Sequence, residues 1–304
     1  MSNANIHGFG DSNSRRNDSD RYYDPNDQTP LFYKFSYKGD PRNQSIPSYL
    51  KEVICPFFHF RSFSFVIIMV NIAVYIASLI PHGLEQSSLQ TKFLPPSSET
   101  LDLFGNLYGP RLRESPLQSY RWIANSLLHA YFDHIFSNCF GILIFGTELE
   151  YLIGTLRYAI IYILSGILGS LFSVLIESKV RSVGASISCY GLIGALMGFY
   201  IINWNSLTRI FGMNNKCYII LFPLLMIIFM LPIFMNGSDS NVNIYGHLGG
   251  CIFGLFLSFF ILKPQDEGDT CFGPYKLLYY AGIVICGSFA VIGFLCFYLL
   301  DYYR

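Results

Sequence analysis

Long apolar runs separated by short polar segments fill most of the chain after Arg61. Each run is close to the roughly 20 residues that an α-helix needs to cross about 30 Å of hydrocarbon. The seven runs lie near Ser62–Ile80, Leu127–Leu149, Tyr158–Ile176, Ala185–Ile202, Cys217–Phe234, Ile244–Leu262 and Leu277–Leu300. This pattern predicts an all-α polytopic membrane protein with seven transmembrane helices.

Small residues recur at close spacing inside several of these runs. They include Gly166 and Gly169 in the third run, Gly191, Gly194 and Gly198 in the fourth, and Gly250 and Gly254 in the sixth. Small residues let the backbones of membrane helices approach closely. We therefore expect these positions at helix–helix contacts.

Composition supports lipid as the solvent for much of the chain. Hydrophobic residues make up 52% of the sequence and charged residues only 13%, whereas soluble domains have about 25% charged residues. The net charge is zero and the basic residues form no stripe, so no nucleic acid partner is expected. Five cysteines lie within apolar runs and no CxxC pair occurs, which predicts packing rather than a metal site.

The charge distribution gives a modest signal for orientation. Seven crossings would place the two termini on opposite sides of the membrane. Short segments on the N-terminal side carry more Lys and Arg: Lys51, Arg61, Arg157, Arg209, Lys216, Lys263 and Lys276, against Lys179, Arg181 and Arg304 on the other side. Since basic residues favour the cytoplasmic side, the N-terminus is expected in the cytosol.

Polar side chains inside membrane spans are costly, so they are candidates for function. His134 and Asn138 share one face of the second helix, Ser186 opens the fourth, and His247 lies early in the sixth. These three helices run in the same direction, from the outer side inward. The four residues are therefore expected at a similar depth, near the outer surface.

Together these residue types can perform acyl transfer. His247 can activate the Ser186 hydroxyl by taking its proton. His134, Asn138 and the backbone N–H of Ser186 can donate hydrogen bonds to the oxyanion of the tetrahedral intermediate. No intramembrane acid is placed to orient His247, which predicts a Ser–His dyad, and Tyr190 can stack on the imidazole.

At these residues the chain resembles the rhomboid intramembrane serine proteases, roughly from Tyr120 to Lys263. Several separate pieces match the family's motifs in order. They are Tyr120-Arg121; His129-Ala130 followed by His134 and Asn138; Gly146, Glu150, Gly154 and Arg157; Gly184-Ala185-Ser186 with Tyr190; and His247 with Gly250 and Gly254. Any one piece is weak evidence, but five in order are highly specific.

The resemblance implies a rhomboid-like six-helix bundle with a seventh transmembrane helix at its C-terminal end, the secretase-type architecture. The expected parts are a flexible cytosolic tail (1–55), the catalytic core (56–264), and a loop with the additional helix (265–304). The resemblance also implies cleavage of single-pass transmembrane proteins in the lipid bilayer, with neither a metal nor an organic cofactor. The extra C-terminal helix favours the secretory pathway or plasma membrane over mitochondria. His129, Gly184, Gly250 and Gly254 are expected to support the site.

The main departure from the family's pattern is Ile187, where Gly usually follows the nucleophile. Its β-branched side chain is bulky, so it raises the hypothesis that it crowds the site or shifts Ser186. Asn243 and Ile244 also replace a polar pair that often precedes the base helix. Ser188 is a poor substitute nucleophile, because two residues along a helix it faces away from Ser186.

Two alternatives of other classes stay open. Taken singly, Ser186, His247, His134 and Asn138 can be polar contacts between helices rather than catalytic groups. An inactive rhomboid-like protein would bind membrane clients and control their trafficking or degradation. A transporter is disfavoured, because intramembrane acidic residues and interrupted helices in paired halves are missing from the pattern.

Overall fold

The computed structural model describes residues 57–89, 91–204, 206–207, 243–264, 270 and 274–300. In these ranges the regular elements are helical, with two isolated β-bridges between loops. The helices are α1 (Phe63–Ser78), α2 (Ser98–Phe104), α3 (Gly109–Glu114), α4 (Arg121–Ala124), α5 (Phe132–Ile153), α6 (Thr155–Ile176), α7 (Ser186–Ile202), α8 (Ile244–Ile261) and α9 (Tyr275–Leu299). Short 3₁₀ turns lie at Gln86–Ser88, Pro116–Tyr120 and Asn125–Leu127, and α5 contains a π-turn at Ile142–Gly146.

Four of these helices, α5, α6, α8 and α9, are long and apolar enough to cross a membrane. The helices α1 and α7 are apolar but shorter, at 16 and 17 residues. The predicted all-α polytopic membrane fold is confirmed. The expected span at Cys217–Phe234 and the N-terminal tail (1–55) lie outside the described residues, so the count of seven spans stays a prediction.

Most predicted spans agree with the observed helices within about three residues, but the predicted start of the second span at Leu127 is wrong. The 3₁₀ turn there ends at Leu127, the next residue Leu128 is extended (φ −89°, ψ 149°), and α5 begins at Phe132. At its other end α5 continues to Ile153 and stops at Gly154, whose φ of 84° and ψ of 151° suit glycine alone. Apolar residues also occur just before Phe132 and in the last turn of α5, so hydropathy alone misses both ends of this helix.

The helices α6, α7 and α8 form the centre of the bundle, with α7 buried on most sides. The backbones of α7 and α8 touch where α8 carries glycine. A methyl group at Gly250 would overlap the carbonyl oxygen of Ile187, and one at Gly254 would overlap that of Gly191. As expected from the sequence, these small residues permit close helix packing. The close approach brings the N-terminal ends of α7 and α8 side by side.

Glu150 joins the N-terminus of α1 to the end of α5. Its buried carboxylate accepts hydrogen bonds from the backbone N–H groups of Phe63 (2.7 Å) and Ser64 (2.9 Å). It also accepts from the hydroxyls of Ser64 (2.7 Å) and Thr155 (2.8 Å). The first N–H groups of a helix have no partner within the helix and carry partial positive charge, so a carboxylate satisfies both needs. This contact fixes where α1 packs.

The helix α9 packs along α6 and α8. The rings of Phe289 and Phe253 lie 4.4 Å apart between centroids, and Phe172 of α6 lies 6.1 Å from Phe289. Close to its start, the Tyr275 hydroxyl donates to the carbonyl of Leu262 at 2.6 Å. The additional C-terminal helix is thus attached to the core along its length.

Candidate active site

The candidate nucleophile Ser186 is the first residue of α7 and follows a loop whose shape depends on glycine. Gly184 has φ +130°, a conformation that residues with a Cβ rarely adopt. A methyl group there would lie 2.7 Å from the Cε1 and Nε2 atoms of His134. The Gly184 N–H donates to the carbonyl of Asn125 at 2.9 Å. These constraints place Ser186 beside the ring of His134.

The candidate base His247 lies in the first turn of α8 and contacts Ser186 directly. Its Nε2 atom is 2.7 Å from the Ser186 Oγ atom. Both residues are buried, with 8% and 4% of their surface exposed. The Tyr190 ring, one turn after Ser186, stacks on the imidazole with centroids 4.6 Å apart and planes at 20°. The imidazole is therefore held between a hydroxyl at its edge and an aromatic ring on its face.

Asn243 fixes the start of α8 and was not singled out as a site residue from the sequence. Its Oδ1 atom accepts hydrogen bonds from the Gly246 N–H (2.7 Å) and from the Ser173 hydroxyl of α6 (2.6 Å). It is thus the N-cap of α8, which accounts for the departure noted at this position. An Asn directly before an apolar helix is a recognisable N-cap signal. Because Asn243 bonds both α6 and the first turn of α8, it fixes the position of His247 along the bundle axis relative to α6.

His134 and Asn138 lie on α5 at the same end of the bundle. The His134 ring packs edge-to-face on His129, with centroids 5.2 Å apart. Asn138 is buried one turn deeper, and its Nδ2 atom has no hydrogen-bond partner among the described residues. His129 is fully buried before α5, and its Nε2 atom lies 3.5 Å from the Ala185 N–H. His129 therefore supports the loop that leads to Ser186.

The side chain of Ile187 packs between α6 and α8 and does not line the cleft at the candidate site. It is buried in a slot whose walls are glycines of α6 and α8. Methyl groups at Gly169 and Gly246 would lie 2.6 Å and 2.7 Å from its Cγ2 and Cδ1 atoms. Because neither wall has a side chain, the slot holds the whole isoleucine, and Ser186 keeps its hydrogen bond to His247.

A cleft of about 500 Å³ opens onto the candidate dyad. It is lined by Ser186, His247, His134, Tyr131 and Asn243, among other residues. The cleft lies on the side of the bundle where α5, α7 and α8 begin, as their common direction predicted. A peptide segment that entered it would meet the hydroxyl of Ser186.

Charged groups also line the cleft. The side chains of Glu85, Lys92 and Arg181 line it. The Glu85 carboxylate accepts hydrogen bonds from the N–H and hydroxyl of Ser98 (3.1 and 2.9 Å), and these bonds lower its pKa. In the part of the chain that the structure describes, no group of three His, Cys, Asp or Glu side chains is arranged to hold a metal ion.

Comparison with known proteins points to one family. The family model described as Rhomboid domain matches residues 116–264. The chain is 33% identical over 193 residues to "RHOMBOID-like protein 6, mitochondrial" of Arabidopsis thaliana, covering 64% of this chain and 60% of that protein. It is 33% identical over 180 residues to "Inactive RHOMBOID-like protein 8" of the same plant, covering 59% and 49%.

A relative from another lineage is similar over more of its length. The chain is 28% identical over 210 residues to "Rhomboid-like protease 3" of Toxoplasma gondii, covering 68% of this chain and 74% of that protein. The match spans only about half to three fifths of the length of the two plant relatives. The names of these relatives thus include both a protease and an inactive protein.

Proposed function

Because the chain belongs to the rhomboid family, we propose that it is an intramembrane serine endopeptidase. In this proposal it cleaves transmembrane segments of single-pass membrane proteins with a Ser186–His247 dyad. The observation that carries the proposal is the 2.7 Å contact between Ser186 Oγ and His247 Nε2, two residues that line the cleft. A nucleophile and base within hydrogen-bond reach are the arrangement that activates a serine.

The first half of the reaction forms an acyl-enzyme. With the imidazole proton on Nδ1, His247 Nε2 accepts the Ser186 proton while Oγ bonds to the substrate carbonyl carbon. The tetrahedral intermediate then expels the amine, which takes the proton from Nε2 as the C–N bond breaks. This leaves an ester between Ser186 and the N-terminal part of the substrate.

Hydrolysis of the ester restores the enzyme. A water molecule gives one proton to His247 Nε2 and bonds to the ester carbonyl carbon. As the second intermediate collapses, the C–O bond to Ser186 breaks and the hydroxyl recovers its proton from His247. In both halves of the reaction His247 Nε2 takes a proton from the attacking oxygen and gives it to the leaving group, so a dyad suffices.

We infer that three donors stabilise the oxyanion. Ser186 is the first residue of α7, so its N–H has no partner within the helix. The His134 ring lies against Gly184, next to the nucleophile. The Asn138 Nδ2 atom is buried without a partner among the described residues, so it has hydrogen-bonding capacity for a bound intermediate. Removing one such donor typically lowers kcat by about 10²- to 10³-fold.

The parts of the chain would serve this activity in different ways. We infer a cytosolic tail (1–55), a catalytic core (56–264) and an added loop and helix (265–304). The buried Gly250 and Gly254 support the proposed core by letting α8 approach α7. No metal or organic cofactor is needed for the proposed chemistry, since every proton transfer goes to or from His247.

The inferred location is the secretory pathway or plasma membrane, with the N-terminus in the cytosol. The support is the distribution of Lys and Arg and the expected helix order. One matched relative carries the word mitochondrial in its name, so imaging of the tagged full chain must distinguish these membranes. Mitochondrial signal would refute the inferred location.

A second candidate is an inactive rhomboid-like protein that binds membrane clients and controls their trafficking or degradation. The 33% identity to a relative named inactive favours it. Its function would not require the Ser186 hydroxyl. Client binding and trafficking would then survive Ser186→Ala, whereas a protease would lose cleavage.

A fluorophosphonate probe tests the proposal without knowledge of the substrate. The full chain, purified in mild detergent, should be labelled covalently, and Ser186→Ala and His247→Ala should abolish labelling while remaining folded. The matched control is Ser188→Ala, because Ser188 is a buried serine of the same helix whose hydroxyl faces Gly166 of α6. Labelling that persists in either dyad variant would overturn the assignment. A folded wild type that is not labelled would favour the second candidate.

A further inference from the structure

The C-terminal end of α9 is packed into an apolar cluster separate from the main core. The buried members of this cluster come from four parts of the chain: Leu107, Leu112, Trp122, Leu171, Val174 and Phe297. Phe297 is fully buried, and the indole of Trp122 meets the rings of Phe294 and Phe297 edge-to-face at 5.3 and 5.5 Å. One face of the last turns of α9 is therefore packed against the protein, whereas Leu295 and Leu299 on the other faces are exposed.

Polar contacts fix the same helix end. The Nε atom of Arg113 donates to the carbonyl of Phe297 at 2.7 Å, and its guanidinium lies 4.1 Å over the Phe297 ring. The indole N–H of Trp122 donates to the hydroxyl of Tyr298 at 3.2 Å. The last carbonyls of a helix lack partners within the helix and favour a cation. These contacts attach α9 to residues 105–124, called here the first-loop segment.

The first-loop segment is attached on its other side to the loop that carries the nucleophile. Leu107 and Ser182 exchange both backbone hydrogen bonds, at 2.8 and 3.0 Å. Asn125, directly after the first-loop segment, accepts from the N–H of Gly184 at 2.9 Å. Ser182 and Gly184 precede Ser186 by four and two residues. Leu107 thus touches the apolar cluster through its side chain and the nucleophile loop through its backbone.

From this chain of contacts we propose that the C-terminal end of α9 positions Ser186, acting through the first-loop segment. Phe297 and Trp122 are positioning residues in this arrangement, because neither touches the dyad. The inference rests on the proposed function, since its consequence is the rate at which Ser186 reacts. The additional helix then contributes to the geometry of the site and is not only a membrane anchor.

Trp122 gives a direct readout of the contact. The chain has two tryptophans, so Trp204→Phe leaves Trp122 as the single tryptophan, which is excited selectively at wavelengths where the tyrosines do not absorb. In this background, Phe297→Ala should make Trp122 more accessible to acrylamide quenching, because its ring partner is gone. The rate constant for fluorophosphonate labelling should fall about tenfold, since a misplacement of about 1 Å can cost about 100-fold. Both are measured below the unfolding temperature of each protein.

The matched control removes an aromatic residue from the opposite end of α9. Tyr275→Ala loses the hydrogen bond to Leu262 but touches neither Trp122 nor the first-loop segment. It should lower thermal stability without slowing labelling, and Phe297→Leu should restore part of the rate. If Phe297→Ala does not fold, Phe297→Leu in the same background is compared with the parent instead, with a smaller loss expected.

The outcomes separate this inference from the proposed function. A parent protein that is folded but not labelled counts against the proposed function. A labelled parent whose Phe297 variants react at the parental rate overturns the positioning role alone. Unchanged quenching of Trp122 in Phe297→Ala overturns it as well, because the helix end would then be held by something else.

Discussion

Shortening Ile187 tests how the departure from the family's usual glycine is accommodated. The side chain is 2% exposed and lies against Gly169, Gly246 and Gly250, which have no side chains to fill the space that it occupies. Removing buried methyl groups from such a site leaves a cavity, because packed surroundings relax only partly. We therefore expect both stability and activity to decrease, and the loss to grow with the number of side-chain atoms removed.

The magnitudes follow from the atoms lost. Ile187→Val removes one methyl group and should cost about 1 kcal/mol, and Ile187→Ala about 3 kcal/mol. Ile187→Gly adds about 1 kcal/mol for glycine within a helix. The cavity would lie between the first turns of α7 and α8, so the 2.7 Å contact of Ser186 with His247 should loosen.

The assay combines thermal unfolding in detergent with the rate of fluorophosphonate labelling. Both should decrease in the order isoleucine, valine, alanine, glycine. Ile163→Ala is the matched control, because Ile163 of α6 is 40% exposed and should tolerate truncation. If Ile187→Gly is labelled faster than wild type while folded, the side chain crowds the oxyanion site, and the interpretation of the glycine slot is refuted.

Three further predictions follow from the structure. Gly184→Ala should abolish probe labelling, because it strains a φ of +130° and pushes against His134; normal labelling would show that the loop is less constrained. Tyr190→Phe should keep most of the labelling rate and Tyr190→Leu should lose it, since stacking on His247 needs a ring; equal rates would remove Tyr190 from the site. Glu150→Gln should lower the unfolding temperature by an amount equivalent to about 1–3 kcal/mol, because an amide cannot accept all four hydrogen bonds. A stability unchanged by this substitution would mean that the junction of α1 and α5 contributes little.

Part of the candidate site was predictable because a membrane restricts which structures a hydrophobic segment can form. Backbone groups in lipid must be paired within the segment, so each span has to be a helix of set length. Helices of the same direction then place their first turns at the same depth. That reasoning brought Ser186, His247 and His134 to one end of the bundle, where the structure has them.

Other features of the site depended on contacts that no single segment encodes. The sequence showed that Ile187 is bulky, but its direction depends on glycines in two other helices. The role of Asn243 as an N-cap can be predicted from the local sequence alone. Its hydrogen bond with Ser173 cannot, because the two residues are 70 positions apart in the chain.

The sequence by itself determined the class of protein, most of its spans and the residues able to perform the chemistry. Hydropathy, helix length and residue type act locally, so these conclusions need no knowledge of neighbours. Only the tertiary structure decided that Ser186 and His247, 61 positions apart, share a hydrogen bond. It also decided that α9 ends against the first-loop segment, since such packing is set by the shapes of surfaces distant in the chain.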